Sequence, residues 1–220
     1  MKFYNTYLFD FDYTIADSSV GIIMSFNEAF RAIGIDYINP SEIKKTIGKS
    51  LFNAFVELSG GYSDYDYLLF QRKFMATSKE VMVKYSYLYD SVIDLFKELK
   101  INQCSIGIVT SKDKNTVSKI LQKYNCGEFV DVIVGEDNVQ HQKPNSEPID
   151  KAIKLLGLDY SNTVYVGDCV VDALTAQNAK VDFYAVLSGV ETKADFVKHH
   201  CDVKCFFRSV TQLIDYIIKN

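Results

Sequence analysis

The chain has 220 residues, 48% hydrophobic and 24% charged, an ordinary globular composition with enough length to bury a substantial apolar core, so neither disorder nor a disulfide-stapled mini-fold is called for. Its formal net charge of −4 and the lack of a Lys/Arg block argue against nucleic acid or an anionic membrane as the main partner. Residues 1–9 are too short and polar for a signal-peptide core and no apolar run approaches membrane-spanning length, so a cytoplasmic protein is expected.

In chain order, an apolar and aromatic run at residues 4–9 ends abruptly in acidic residues, which suits a buried strand reaching the edge of a sheet. Helical patterns follow at 20–33, 41–47, 51–58 and 66–84, with turns marked by Asn39-Pro40 and Gly60-Gly61 and no convincing strand between them. Ser91 is placed to cap a helix that buries Val92, Leu95, Phe96 and Leu99. Strands are then predicted at 104–109, 129–134, 163–166 and 183–187. Helices separate or follow them at 113–124, from Ser146 to a stop at Gly157, at 173–179 and at 209–218. This alternation predicts an α/β fold: a doubly wound, Rossmann-like parallel sheet from residues 1–15 and 88–220, with 16–87 as a helical insertion. Cys104, Cys126, Cys169, Cys201 and Cys205 are odd in number and scattered, which predicts reduced thiols. His199-His200-Cys201 with Cys205 lacks the two spaced ligand pairs of a zinc cluster and reads as a surface loop.

Ligands of open α/β sheets collect at the carboxyl ends of strands, and the residues there form a coherent set. Asp10 and Asp12, in Asp10-Phe11-Asp12-Tyr13-Thr14, alternate as strand side chains do and can project to one side, with Thr14 able to position the second. One carboxylate can attack phosphorus while the other protonates the leaving oxygen and later deprotonates a water. Thr110-Ser111-Lys112 offers hydroxyls and backbone N–H groups to a phosphoryl oxygen, although Ser and Thr at that place are also ordinary helix caps. Lys143, before Pro144, can neutralise crowded carboxylates and a transferring phosphoryl group, or be a solvated surface charge. Asp168 and Asp172, one helical turn apart after Gly167, form the hard oxygen set that Mg²⁺ prefers, unless Asp172 only caps its helix.

These four pieces in this order resemble the haloacid dehalogenase superfamily, in its phosphoglycolate-phosphatase-like branch with a helical cap inserted after the first motif. The resemblance spans nearly the whole chain. It implies a Mg²⁺-dependent phosphatase of a small phosphorylated metabolite, with Asp10 as nucleophile and Asp12 as general acid/base whose carbonyl also meets the metal. Asp168 would be a direct ligand, Asp172 a ligand or a holder of metal-bound water, Thr110 a phosphoryl contact, and Lys143 a link from that group to the nucleophile. Three positions depart from the family: Tyr13 and Lys180 stand where glycine is usual, and Cys169 where serine is common.

A phosphosugar mutase of the β-phosphoglucomutase type would carry a histidine where this chain has Ile22, and His141, His199 and His200 all lie far away in sequence. A receiver-like signalling protein would be much shorter, without a cap. Substrate choice is assigned to the cap, with Lys49 between two of its helices as a candidate substrate contact. The expected assembly is a monomer or weak homodimer, with neither nucleic acid nor membrane as partner.

Overall fold

The computed structural model describes residues 4–61 and 63–218. Its first strand, β1 (Thr6–Phe9), is buried on both faces, as expected of an apolar run inside a parallel sheet. The chain then turns tightly, with the Phe11 carbonyl accepting from the N–H groups of Thr14, Ile15 and Ala16, and passes through β2 (Ala16–Asp17).

Four helices follow: α1 (Ser19–Arg31), α2 (Pro40–Lys44), α3 (Leu51–Ser59) and α4 (Asp64–Val81). Three begin at side-chain caps, which satisfy otherwise orphaned N–H groups. Asn39 accepts from the N–H of Ser41, Ser50 from that of Asn53, and Ser63 with Asp66 forms a reciprocal capping box. The apolar faces meet around Phe70, which is fully buried, with its ring 4.7 Å from Phe30 and 4.9 Å from Phe55. A two-residue strand, β3 (Tyr87–Leu88), leads out and pairs with β2. Residues 17–87 are one compact unit; 1–16 with 88–220 are the other.

The larger unit continues with α5 (Val92–Ile101), β4 (Ser105–Val109), α6 (Lys114–Lys123), β5 (Val132–Val134) and α7 (Glu147–Leu156). It ends with β6 (Thr163–Gly167), α8 (Val170–Ala179), β7 (Asp182–Val186), α9 (Lys193–Lys198), β8 (Cys205–Phe207) and α10 (Val210–Ile218). The six-stranded sheet has the order β5-β4-β1-β6-β7-β8 and every pairing is parallel. β1 is central, with Thr6 level with Ser105 on one side and Thr163 on the other. The chain winds outward from β1 through β4 to β5 and returns to build β6 to β8, so the switch point lies at the carboxyl end of β1. Leu8, Val109, Tyr165 and Phe183 anchor the core between the sheet and α7 and α8.

Four local expectations change. The strand predicted at 129–134 begins only at Val132, because a 3₁₀ turn takes Gly127–Phe129. Ser91 starts α5 in the left-handed region at φ 68 without a side-chain cap bond; its hydroxyl instead accepts from Thr211 at 3.3 Å. The segment read as a surface loop ends in an edge strand that starts at Cys205. The stretch read as strand-free carries β2 and β3 at its two ends. Among the described residues, no helix is long and apolar enough to cross a membrane.

Candidate active site

Asp10 follows the last residue of β1, Thr110 that of β4, and Asp168 that of β6, so the parallel register sets them side by side at one edge. Asp10 is pinned there by its own N–H, which donates to the Val166 carbonyl at 2.8 Å. Asp10 and Asp12 do not alternate along a strand, since β1 ends at Phe9. They lie on the turn after it, with Phe11 fully buried between them.

Lys143, from the loop before α7, enters the middle of the site. Its Nζ donates to Asp10 Oδ1 and to Asp172 Oδ1, each at 2.7 Å, and its side chain is only 2% exposed. Asp172 is held on every side: Oδ1 also accepts from the Tyr165 hydroxyl at 3.0 Å, and Oδ2 from the Cys169 N–H at 3.3 Å and thiol at 3.0 Å. Gly167 makes this possible, because a Cβ there would overlap the Asp172 carboxylate. Gly189, beyond β7, does the same for Asp168, whose Oδ1 accepts from the Thr14 hydroxyl at 3.3 Å. Thr14 thus meets Asp168 rather than Asp12. Asp12 Oδ2 pairs with Lys112 Nζ at 3.0 Å, and Asp12 Oδ1 is buried with no hydrogen-bond partner.

Both departures from glycine stand in left-handed backbone, Tyr13 at φ 61 and Lys180 at φ 58. A side chain there costs about 1–2 kcal/mol. At Tyr13 the geometry is held by the Ser188 hydroxyl, which donates to its carbonyl; at Lys180 it closes α8, with the N–H bonded to the carbonyls of Ala176 and Gln177.

The electrostatics follow from crowding. Burial pushes the Asp10 carboxyl up to about 7 against the pull of Lys143, with the Asp172 charge adding to the rise. Burial and then Asp172 and Asp10 hold Asp168 well above the usual carboxylate range. Lys143 is raised well above its ordinary value, Asp10 and Asp172 outweighing its burial. Among the described residues, the ammonium groups of Lys112 and Lys143 are the cations paired with these acids, so the four carboxyl groups of Asp10, Asp12, Asp168 and Asp172 stand against two ammonium groups.

Glu136, after β5, gives a separate pH effect. Burial, then the Asp113 charge, raises its carboxyl to about 7 from 4.5. A raised carboxyl favours the fold while neutral, so its contribution is complete below about pH 4.5 and is lost as pH rises through about 7. Glu136→Gln is expected to remove that loss, on the order of 2 kcal/mol after allowance for partial solvation. The thermal midpoint of the variant should therefore gain on the parent between pH 5 and pH 8, and a constant difference would refute the assignment.

Of the residues singled out from sequence, the fold gathers Asp10, Asp12, Thr110, Lys143, Asp168 and Asp172. The Thr110 hydroxyl, in a residue 5% exposed, accepts from the Lys112 N–H at 3.2 Å, and Ser111 is half-buried beside it. Lys49 belongs to the helical unit, where it is ion-paired with Glu57. Sequence reasoning missed four participants. Lys112 was visible next to Thr110, but its pairing with Asp12 depends on β1 and β4 being neighbours. Tyr165 carried no signal beyond a buried strand. Ser188 and Glu191 lie in the loop after β7, where Glu191 accepts from the Val170 N–H at 2.5 Å and caps α8 from a distance.

The model of the family described as haloacid dehalogenase-like hydrolase matches residues 7–186. The chain is 32% identical over 198 residues to pyrophosphatase PpaX of Bacillus pumilus, which covers 90% of each protein. Among solved structures, a candidate haloacid dehalogenase-like hydrolase from Bacteroides fragilis superposes with a TM-score of 0.91 at 32% identity, covering 96% of this chain and 99% of that one. A candidate phosphoglycolate phosphatase from Lactobacillus plantarum shares the fold, with a TM-score of 0.84 at 24% identity over 97% and 99% of the two chains. With so much of its length matched, the chain belongs to the haloacid dehalogenase-like hydrolase family, and within that family it is a phosphatase.

Proposed function

We propose that this phosphatase hydrolyses inorganic pyrophosphate, or a comparably small and anionic phosphate monoester such as phosphoglycolate, through an aspartyl-phosphate on Asp10 with Mg²⁺ as cofactor. The observation that carries the reading is the Lys143 ammonium, 2.7 Å from Asp10 Oδ1 in a buried site. It orients the carboxylate and leaves the other oxygen for in-line attack on phosphorus. The pyrophosphatase activity of the Bacillus pumilus relative favours pyrophosphate over the sugar phosphates.

The residues present fit a divalent cation. Asp168 lies in a buried acidic cluster with Asp172, oxygens within 4.8 Å of each other, Asp10 is buried at the end of the neighbouring strand, and four carboxyl groups stand against the ammonium groups of Lys112 and Lys143. Cys169 lies in the same cluster, but a thiol is a poor ligand for Mg²⁺ and here serves as a donor to Asp172. Asp10, Asp168 and the Asp12 carbonyl would hold the ion, while Asp172, committed to protein donors on both oxygens, braces Lys143 behind them. When bound, Mg²⁺ supplies charge neutralisation for the carboxylates and the phosphoryl oxygens.

The protein's own steps are these. Thr110 donates its hydroxyl to a phosphoryl oxygen, and Lys143 steadies Asp10 and the transferring group. Asp12, acting as the acid, gives a proton to the leaving oxygen as the Asp10–phosphorus bond forms and the bond to the leaving group breaks. The same carboxylate then takes a proton from the water that splits the aspartyl-phosphate. Asp12 Oδ1, without a protein partner, is the oxygen available for both transfers.

Phosphate release measured over pyrophosphate, phosphoglycolate, a nucleoside monophosphate and a hexose phosphate tests the reading. Release is expected to be fastest from the first two, lost in excess chelator and restored by Mg²⁺. Turnover indifferent to chelator would defeat the metal assignment.

A further inference from the structure

We infer that Lys112 is a specificity residue that recognises an anionic leaving group, a second phosphate or a carboxylate attached close to the scissile oxygen. The inference rests on the phosphatase reading of the same site and adds to it a residue and a reason for one class of substrate.

The side chain of Lys112 is 8% exposed and that of Asp12 12%, and their charged atoms lie 3.0 Å apart. An acid that protonates a leaving oxygen must sit within hydrogen-bond reach of it. Lys112 is therefore fixed within a few ångströms of that oxygen and of whatever is bonded to it. Its ammonium has three donors, and among the described residues Asp12 is its one ion-pair partner. The remaining N–H groups can meet a second anion without giving up Asp12.

The position of Lys112 is built rather than incidental. Its N–H donates to the Thr110 hydroxyl at 3.2 Å, and its carbonyl accepts from the Glu136 N–H at 3.3 Å. Gly135 packs so closely on that carbonyl that a Cβ would lie 2.6 Å from it. The loops after β4 and β5 therefore lock the backbone that carries Lys112, which limits the entropy lost when it binds an anion. The two lysines divide the work: Lys143 reaches the nucleophile, and Lys112 the opposite, departing side. A neutral alcohol as leaving group would offer Lys112 no second anion. A departing phosphate would have its charge met where it grows.

The test is binding, which separates recognition of the second anion from catalysis by Asp12. Methylenediphosphonate, a non-hydrolysable analogue of pyrophosphate, and methylphosphonate, which lacks the second anion, are titrated calorimetrically in excess Mg²⁺. The parent, Lys112→Met and Lys112→Arg are compared, with thermal melts to confirm folding. The parent is expected to prefer the diphosphonate by about 10- to 100-fold, as for a hydrogen bond to a charged group. Lys112→Met should lose that preference by weakening the diphosphonate alone, and Lys112→Arg should keep most of it. Equal weakening of both ligands, a preference retained in Lys112→Met, or no preference in the parent would each overturn the assignment. Failure of the phosphatase reading is a different result: a parent protein that releases no phosphate from pyrophosphate or from the monoesters in Mg²⁺, whatever Lys112 binds.

Discussion

Asp10→Asn is expected to lower kcat on pyrophosphate by about 10⁴-fold or more while the protein remains folded. The amide keeps the size and shape of the side chain, and its oxygen can still accept from the Lys143 ammonium, which now sits 2.7 Å from Asp10 Oδ1. What is lost is the negative, nucleophilic oxygen, for which an amide is no substitute. Removing one of four crowded carboxylates relieves repulsion that burial makes expensive, so the thermal midpoint should change by only a few degrees. Two measurements decide the matter: steady-state phosphate release, and acid-quenched trapping of phosphorylated protein, expected in the parent and absent in the variant. A variant that kept a hundredth of the parental kcat would put the nucleophile elsewhere.

Lys143→Met should damage both activity and stability, with the stability loss dependent on pH. The methionine fills similar space, but Asp10 and Asp172 lose the ammonium that bonds both of them in a site almost closed to water. Breaking a buried pair from one side costs about 3–5 kcal/mol, because the surviving carboxylates lose their cation where solvent cannot replace it. Burial already pushes the Asp10 carboxyl up to about 7 with Lys143 present, and without the lysine it moves higher still. A carboxyl raised in the fold favours folding while protonated and ceases to as pH rises through its folded value. The deficit of the variant should therefore be small near pH 5 and largest above pH 7. Denaturant unfolding at the two pH values measures it, and an equal deficit at both would mean that the lysine is structural filler.

The sequence showed the core clearly where strands are fully buried. β1, β4, β6 and β7 are continuous apolar runs, and each is followed by residues with chemical character. β8 was hidden because Cys205-Phe206-Phe207 sits between Lys204 and Arg208 in a segment that read as a surface loop. The acid, hydroxyl and lysine groups that the fold gathers could be picked out, and the resemblance implied the link of Lys143 to Asp10, but the other pairings could not be read. Thr14 was expected to steady Asp12 and instead meets Asp168, and Lys112 stood beside a predicted phosphate contact with its partner unseen. Such pairings depend on which strands are neighbours, and they join residues 100 or more positions apart, as Asp12 and Lys112 are. The left-handed backbone at Tyr13 and Lys180 was signalled only by the family's preference for glycine. Neither side chain announces such a conformation by itself.

The central place of β1 has a consequence for synthesis. This strand is made well before its partners, since Thr6 pairs with Ser105 and Thr163. At roughly 5–20 residues per second, it waits about 5–20 s for its first neighbour and about 8–30 s for its second. Meanwhile residues 17–87 leave the ribosome with an apolar cluster of their own around Phe70 and can condense early. The aromatic strand ahead of them, Tyr7 to Phe9, stays unpaired for that interval. Pairings so distant in sequence are slow to close, which leaves the edges of this strand open to wrong association in that interval.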